Sequence, residues 1–235
     1  MIKLINNEFK KIGLLKLIIS FILFIIVIIV IYEFTDNMKN TIFNLIPFAG
    51  ILITIIFSST ISGEIENGTF RFYLTKPISR KKIYQSKMVT IIIYMIILMS
   101  LILLCYSILC ENIDKNYIIK YIKYCSSLLV VNSLVIMLST FIRSTSVTVG
   151  IVTMIIAFSL LLLQIFLDIK LNIVEYTFLP YMDFTLYDDK LTVQQMNELY
   201  NINLSIKNGI MINLIYSLLF YKVGETIFIK KDIKN

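Results

Sequence analysis

Apolar residues in this chain gather into six long runs, at 14–32, 41–62, 88–110, 121–142, 146–167 and 208–229, with polar segments between them. Each run is near the about 20 residues that a helix needs to cross the hydrocarbon of a bilayer. Strict alternation of apolar and polar positions, the mark of a half-buried strand, is not the pattern. In lipid a chain must satisfy its own backbone hydrogen bonds, and a helix does so within one segment. The expected fold is an all-α integral membrane protein with six transmembrane helices, and residues 1–235 read as a single transmembrane domain. The first run carries Lys16 near enough to its end for the ammonium to snorkel. The second holds Pro47 and Gly50. The sixth is the weakest, because Lys222 and Glu225 interrupt it; their i, i+3 spacing suits an ion pair near the membrane edge.

Two segments outside the runs also carry helical patterns. Ile2, Ile5, Phe9 and Ile12 recur at spacings of three and four, with Lys3, Asn6, Lys10 and Lys11 around the rest. That is one apolar face of a helix, and it predicts an N-terminal amphipathic interfacial helix lying on membrane lipid. The first run ends Ile-Tyr-Glu-Phe-Thr-Asp, without the small residues of a cleavage site, so it reads as a retained helix and not a signal peptide. Between the fifth and sixth runs, 168–207 is too long for a plain loop. Its first part, 174–184, is aromatic and apolar around Pro180, a pattern that suits a return toward the membrane. Leu191, Met196 and Leu199 have helical spacing, with Thr192 as a cap and Gln195 three residues later. One or two short helices are expected here, forming an external cap that acts either as a lid or as an inert cover.

Composition supports this and orients it. The chain is 58% hydrophobic, against about 45–50% for a soluble domain. Its net charge of +7 does not form one aromatic-studded face, so a nucleic-acid partner is excluded. The basic residues follow topology instead. Segments 1–13 with Lys16, 63–87, 143–145 and 222–235 hold 15 Lys and Arg and 5 acids, and the opposite segments hold 7 and 10. The positive-inside rule then places both termini and the 63–87 loop in the cytoplasm. Tyr32, Tyr84, Tyr106, Tyr121, Tyr124 and Tyr221 fall near run ends and read as an interface belt. Heavy use of Ile, Lys and Asn suits a bacterial source.

Catalytic chemistry finds little to work with. Histidine is absent, which removes the commonest general base and metal ligand. Cys105, Cys110 and Cys125 are odd in number and lack CxxC spacing, so they read as small buried hydrophobes. Gly63 and Gly68 have the two-glycine spacing of a P-loop, but Thr69 and Phe70 stand where that loop needs Lys and a hydroxyl. No nucleotide, metal or other cofactor is expected on this chain. Glu64 and Glu66 are two apart and point different ways on a helix; pairing with Arg71 or another nearby base fits them better than acid–base catalysis. The second, third and fifth runs have uncharged middles, unlike proton- or ion-coupled transporters. Their polar groups, with those of the fourth run, are Thr54, Ser58, Ser59, Thr60, Asn132, Ser133, Ser139, Thr140, Thr153, Ser159 and Gln164. Such groups either tie helices together or line a path for an amphipathic molecule.

The segment 63–87, GEIENGTFRFYLTKPISRKKIYQSK, has a fixed order. Glu64 and Glu66 come first, then Gly68-Thr69-Phe70-Arg71, then Leu74, then Pro77-Ile78-Ser79-Arg80, and Lys87 precedes the third run. This order resembles ABC-2-type transporter permeases, above all the small six-span permeases of bacitracin-resistance and lantibiotic-immunity transporters. The amphipathic start, six spans and long external segment resemble that family too. The resemblance implies a permease dimer, built from two copies or a copy and a paralogue, served by separate cytoplasmic ABC ATPase subunits that carry ATP and Mg. It implies that the loop after the second span is the ATPase-coupling element, with Glu64, Glu66, Gly68, Thr69, Phe70, Arg71 and Leu74 docking and Pro77, Ser79 and Arg80 returning the chain to the membrane. Export of an amphipathic substrate such as a peptide antibiotic or lipid-like molecule follows, with Thr54, Ser58, Thr153, Ser159 and Gln164 expected on the translocation face. The rival expectation is a non-transporting membrane scaffold or sensor that recruits a cytoplasmic partner through the same loop; a membrane enzyme is the weakest.

Overall fold

The computed structural model describes residues 1–34, 46–69, 78–109, 115–169, 174–182, 184, 187, 190–200 and 202–230, and among these every regular element is helical. In chain order they are α1 (Ile2–Ile12), α2 (Leu14–Phe34), α3 (Ile46–Phe57), a 3₁₀ turn (Ser58–Thr60), α4 (Ser62–Glu66), α5 (Arg80–Leu109), α6 (Lys115–Phe141), α7 (Thr145–Ala157), α8 (Ser159–Asp168), 3₁₀ turns at Val174–Tyr176 and Leu179–Tyr181, α9 (Lys190–Tyr200) and α10 (Ile206–Lys230). Each of the six apolar runs is helical over its described residues. Four stretches are long and apolar enough to cross a membrane: Ile46–Glu66, Arg80–Cys105, Ile118–Phe141 and Ile206–Lys230. Counting each of two bent pairs as one span raises this to six. The chain is thus an all-helical, multi-pass membrane protein with four to six spans.

α6 is the centre. Val130 to Ile136 are buried all round its axis, as expected of a helix enclosed by others, and it packs against α3, α5, α7 and α10. α2 lies at the edge, burying among its described side chains the stripe Leu17, Ser20, Phe24 and Ile28. There the Ser20 hydroxyl donates to Leu17 O and meets Tyr94 Oη of α5 at 2.6 Å. The fifth run bends by 63° between α7 and α8. No proline is present; the Ser159 hydroxyl donates to Ile156 O at the break, a back-bond of the kind that bends helices.

Contacts between helix ends sort the bundle into two ends. At one, α1, the α4 elbow, the start of α5, the start of α7 and the last turn of α10 meet. This basic end gathers the described segments that are richest in Lys and Arg. At the other end, the 174–187 segment covers the starts of α6 and α10, with Tyr181 lying against Gly209 and Phe184 edge-on to Tyr124 at 6.1 Å.

Several sequence expectations change. α1 does not give its apolar face wholly to lipid: Ile12 is buried against the bundle while Ile2 is 83% exposed, because α1 turns by 71° from α2 and packs on α5. Tyr84 and Tyr124 are fully buried core residues, not belt residues. α9 begins at Lys190, so Thr192 lies in its first turn and does not cap it. Lys222 and Glu225 pair at 3.1 Å as their spacing predicts. Cys105 and Cys125 are free and half-buried; Cys110 lies outside the described residues.

Candidate functional site

The site at the basic end starts from a local conflict in α3. It is followed directly by Ser58, Ser59 and Thr60, whose hydroxyls donate back to Ile55 O, Ile56 O and Phe57 O. Hydroxyls at these positions compete for helix carbonyls, and the backbone tightens into a 3₁₀ turn before α4 resumes. Thr60 O then accepts a 2.7 Å bond from Lys87 Nζ of α5. Lys87 is 0% exposed. Its ammonium also meets Glu8 Oε2 of α1 and Glu64 Oε1 of α4, each at 2.9 Å. Lys11 completes the knot, at 3.2 Å from Glu8 Oε1 and 2.8 Å from Glu64 Oε1. Two lysines and two glutamates therefore join α1, α4 and α5 in one neutral cluster. Burial of an ion is strongly unfavourable unless it is paired and hydrogen-bonded, so the pairing holds the three elements in one arrangement. Glu8 was missed as a site residue in the sequence, yet it sits three after Ile5 and four before Ile12, on the apolar face. An acid there is the available signal, since it demands a buried cation.

The elbow after α4 is shaped by short-range chemistry. Gly63 lets α4 approach α7: a Cβ there would lie 3.2 Å from Ser59 Cβ and 3.3 Å from Thr145 Cγ2. Gly68 adopts φ +67, the left-handed region that glycine enters without penalty. The Thr69 hydroxyl donates to Glu64 O at 3.3 Å, so it closes the preceding helix. Glu66 Oε2 accepts from the Thr145 N–H and hydroxyl, both at 3.3 Å, at the first turn of α7. On the return, Ser79 Oγ accepts the Lys82 N–H at 3.4 Å at the start of α5, and the Arg80 guanidinium donates to Ile229 O near the end of α10 at 2.9 Å. Of the residues expected to dock a partner, Glu64 thus faces inward at 9% exposure and Glu66, Gly68 and Thr69 form the exposed shoulder; Ser79 and Arg80, expected on the return, bond to the chain's own helices. Phe70, Arg71, Leu74 and Pro77 lie outside the described residues. Glu64 and Glu66 do find partners, but these are Lys11, Lys87 and Thr145. Because the Glu66 bonds are long and exposed, Glu66→Gln should change stability by no more than about 0.5 kcal/mol, read as an unchanged melting temperature in detergent.

A family model described as a protein of unknown function, DUF2705, matches residues 28–234. The chain belongs to the DUF2705 family. No curated protein matches it. The matched segment contains Glu64 and Lys87 but not Glu8 or Lys11, so the knot of this DUF2705 member spans the boundary of the match.

A cavity of about 560 Å³ opens beside the knot, lined by Glu8, Lys11, Ile12, Lys16, Ile56, Ser59, Thr60, Gly63, Glu64, Asn67 and Thr69. A smaller one, about 280 Å³, lies near the other end between α3, α6 and the α7–α8 bend and includes Ser159. The five residues expected on a translocation face do not share a surface in this DUF2705 chain. Thr54, Ser58 and Ser159 are buried and donate to their own helices at Gly50 O, Ile55 O and Ile156 O. Thr153 is half-buried and bonded to Val149 O, and Gln164 is exposed. Polar bonds that do cross between elements include Asn132 to Met95 Sδ at 3.1 Å and Asn213 to Ser126 Oγ and Tyr181 O. At that end Lys123 is buried with its ammonium 5.7 Å from the Phe184 ring centre. Burial, reinforced by the nearby Glu175, raises the Tyr181 hydroxyl to about 12.

Proposed function

We propose that this protein is the membrane-spanning subunit of an ATP-driven transporter of the ABC-2 type. It crosses the cell membrane six times with both termini and the elbow in the cytoplasm, and the 168–207 segment caps the outer face. The observation that carries the reading is the charged knot. Both flanks of the 67–79 loop are anchored in it, Glu64 on the incoming side and Lys87 on the outgoing side, and Glu8 ties the interfacial helix to the same point. A push on that loop therefore moves α1, α4 and α5 together, and Glu66 passes it to α7. Such a lever is what a permease needs when a separate ATPase holds ATP and Mg and supplies the motion. The order of residues at 63–80 supports the same reading. A second permease copy or paralogue completes the path for an amphipathic substrate.

The test is co-purification. A tagged chain should bring down a P-loop ATPase and stimulate its hydrolysis when reconstituted. Phe70→Ala or Arg71→Ala should cut that stimulation roughly tenfold, the scale of a lost interface anchor, with the yield of folded protein unchanged. Undiminished stimulation in both variants would remove the docking role. Recovery of a soluble partner that hydrolyses no nucleotide would replace the transporter with a membrane scaffold.

A further inference from the structure

The cavity beside the knot holds a cation that takes no part in the knot. Lys11 and Lys87 are matched by Glu8 and Glu64. Lys16, in the first turn of α2, also lines the cavity, is exposed, and has no hydrogen bond or ion pair among the described residues. Around it stand the exposed polar residues Ser59, Asn67 and Thr69, of which Asn67 has its side-chain amide free of the helix hydrogen bonds that take the two hydroxyls, and apolar walls from Ile12 and Ile56. One lining group is also short of a partner: Glu64 Oε2 is buried and accepts no hydrogen bond. The volume lies in the about 300–1,000 Å³ range of small-molecule sites. The cavity sits where α1 turns by 71° into α2, and next to Lys16 the side chains of Leu15, Ile18 and Ile19 point outward, exposed.

From these features we infer that the α1–α2 corner binds the headgroup of an anionic glycerophospholipid. A phosphodiester carries one negative charge to meet Lys16, and an anionic lipid, unlike a zwitterionic one, brings no ammonium of its own to compete for it. The Asn67 side-chain amide supplies a neutral donor to the phosphate oxygens. The acyl chains run along the exposed apolar side of α2. Bound there, the lipid fastens α1 to the bundle beside the knot. The inference needs only a membrane-embedded chain and stands apart from the transporter reading.

The experiment is native mass spectrometry of the full chain released from mixed vesicles of phosphatidylglycerol, phosphatidylethanolamine and phosphatidylcholine, with soluble glycerol 3-phosphate as a competitor. Wild type should retain phosphatidylglycerol above its share of the mixture. Lys16→Gln should lower that retention about fivefold, the scale of one basic residue at an anionic surface, with an unchanged gel-filtration profile. Lys3→Gln, an exposed lysine of α1 outside the cavity, should leave retention as it was. Equal retention of all three lipids, or an equal loss from both lysine variants, would overturn the site. Displacement of the lipid by glycerol 3-phosphate at matched concentration would assign the cavity to a free phosphate and overturn the lipid.

Discussion

Lys87→Met should lower the melting temperature of the detergent-solubilised protein by on the order of 10 °C, from a loss of about 3–5 kcal/mol. The size follows from what is left behind. Lys87 is fully buried and bonded to Glu8, Glu64 and Thr60 O. Without its ammonium, two carboxylates with few solvent contacts face each other beside Lys11, whose side chain is 41% exposed and so partly satisfied by water. Thr60 O loses this donor as well. Removing one partner of a buried pair costs more than removing the whole cluster. The triple variant Lys87→Met, Glu8→Gln, Glu64→Gln should therefore regain much of the loss, and this distinguishes stranded charge from a hole in the packing. A single variant that melts like wild type would show that the knot holds nothing. The transporter reading adds a second consequence: the triple variant should fold and bind an ATPase yet transport poorly, because the elbow flanks no longer move as one.

What could be read beforehand was what is local. The apolar runs announced their helices because a run of about 20 residues is a complete signal in itself, and Lys222–Glu225 followed from an i, i+3 spacing within one helix. Gly68 is at a turn for the same reason: its neighbours alone set its φ. The knot was not legible in that way, since it joins residues 53 and 79 positions apart. Local pattern assigned Lys11 to a solvated face and Lys87 to the margin of a span, and only the 71° turn at Gly13 brings α1 back over α5. The direction of the hydroxyls inside the runs was hidden for a related reason. Thr54, Ser58 and Ser159 looked like free hydroxyls in apolar runs, but a serine or threonine in a helix finds an acceptor in the carbonyl three or four residues back. The sequence shows the hydroxyl and not the direction it takes.

Gly224→Ala tests the packing of α10, where the expected loss is about 1–3 kcal/mol for one added methyl group. Gly224 lies at the crossing of α10 with α5 and α6. A Cβ there would overlap Tyr84 Oη and come within 3.1 Å of both Tyr84 Cζ and the Met137 Cα. Met137 Cα is backbone and cannot step aside, and the Tyr84 ring is held by Tyr221 and Phe228, each 5.5 Å away between ring centres. α10 must then shift outward, which stretches the Arg80 bond to Ile229 O. Tyr84→Phe alone should be neutral or stabilising, because the Tyr84 hydroxyl is buried without a hydrogen-bond partner, and a polar atom in that state adds only its desolvation cost. In the double variant the worst overlap is gone but the contacts at Cζ and Met137 remain, so Tyr84→Phe should recover part of the Gly224→Ala loss and not all of it. The melting temperatures of the four proteins form a cycle whose coupling isolates that overlap. Strict additivity would mean that α10 does not rest on Tyr84, and that the small residue at 224 answers to something other than the closeness of these three helices.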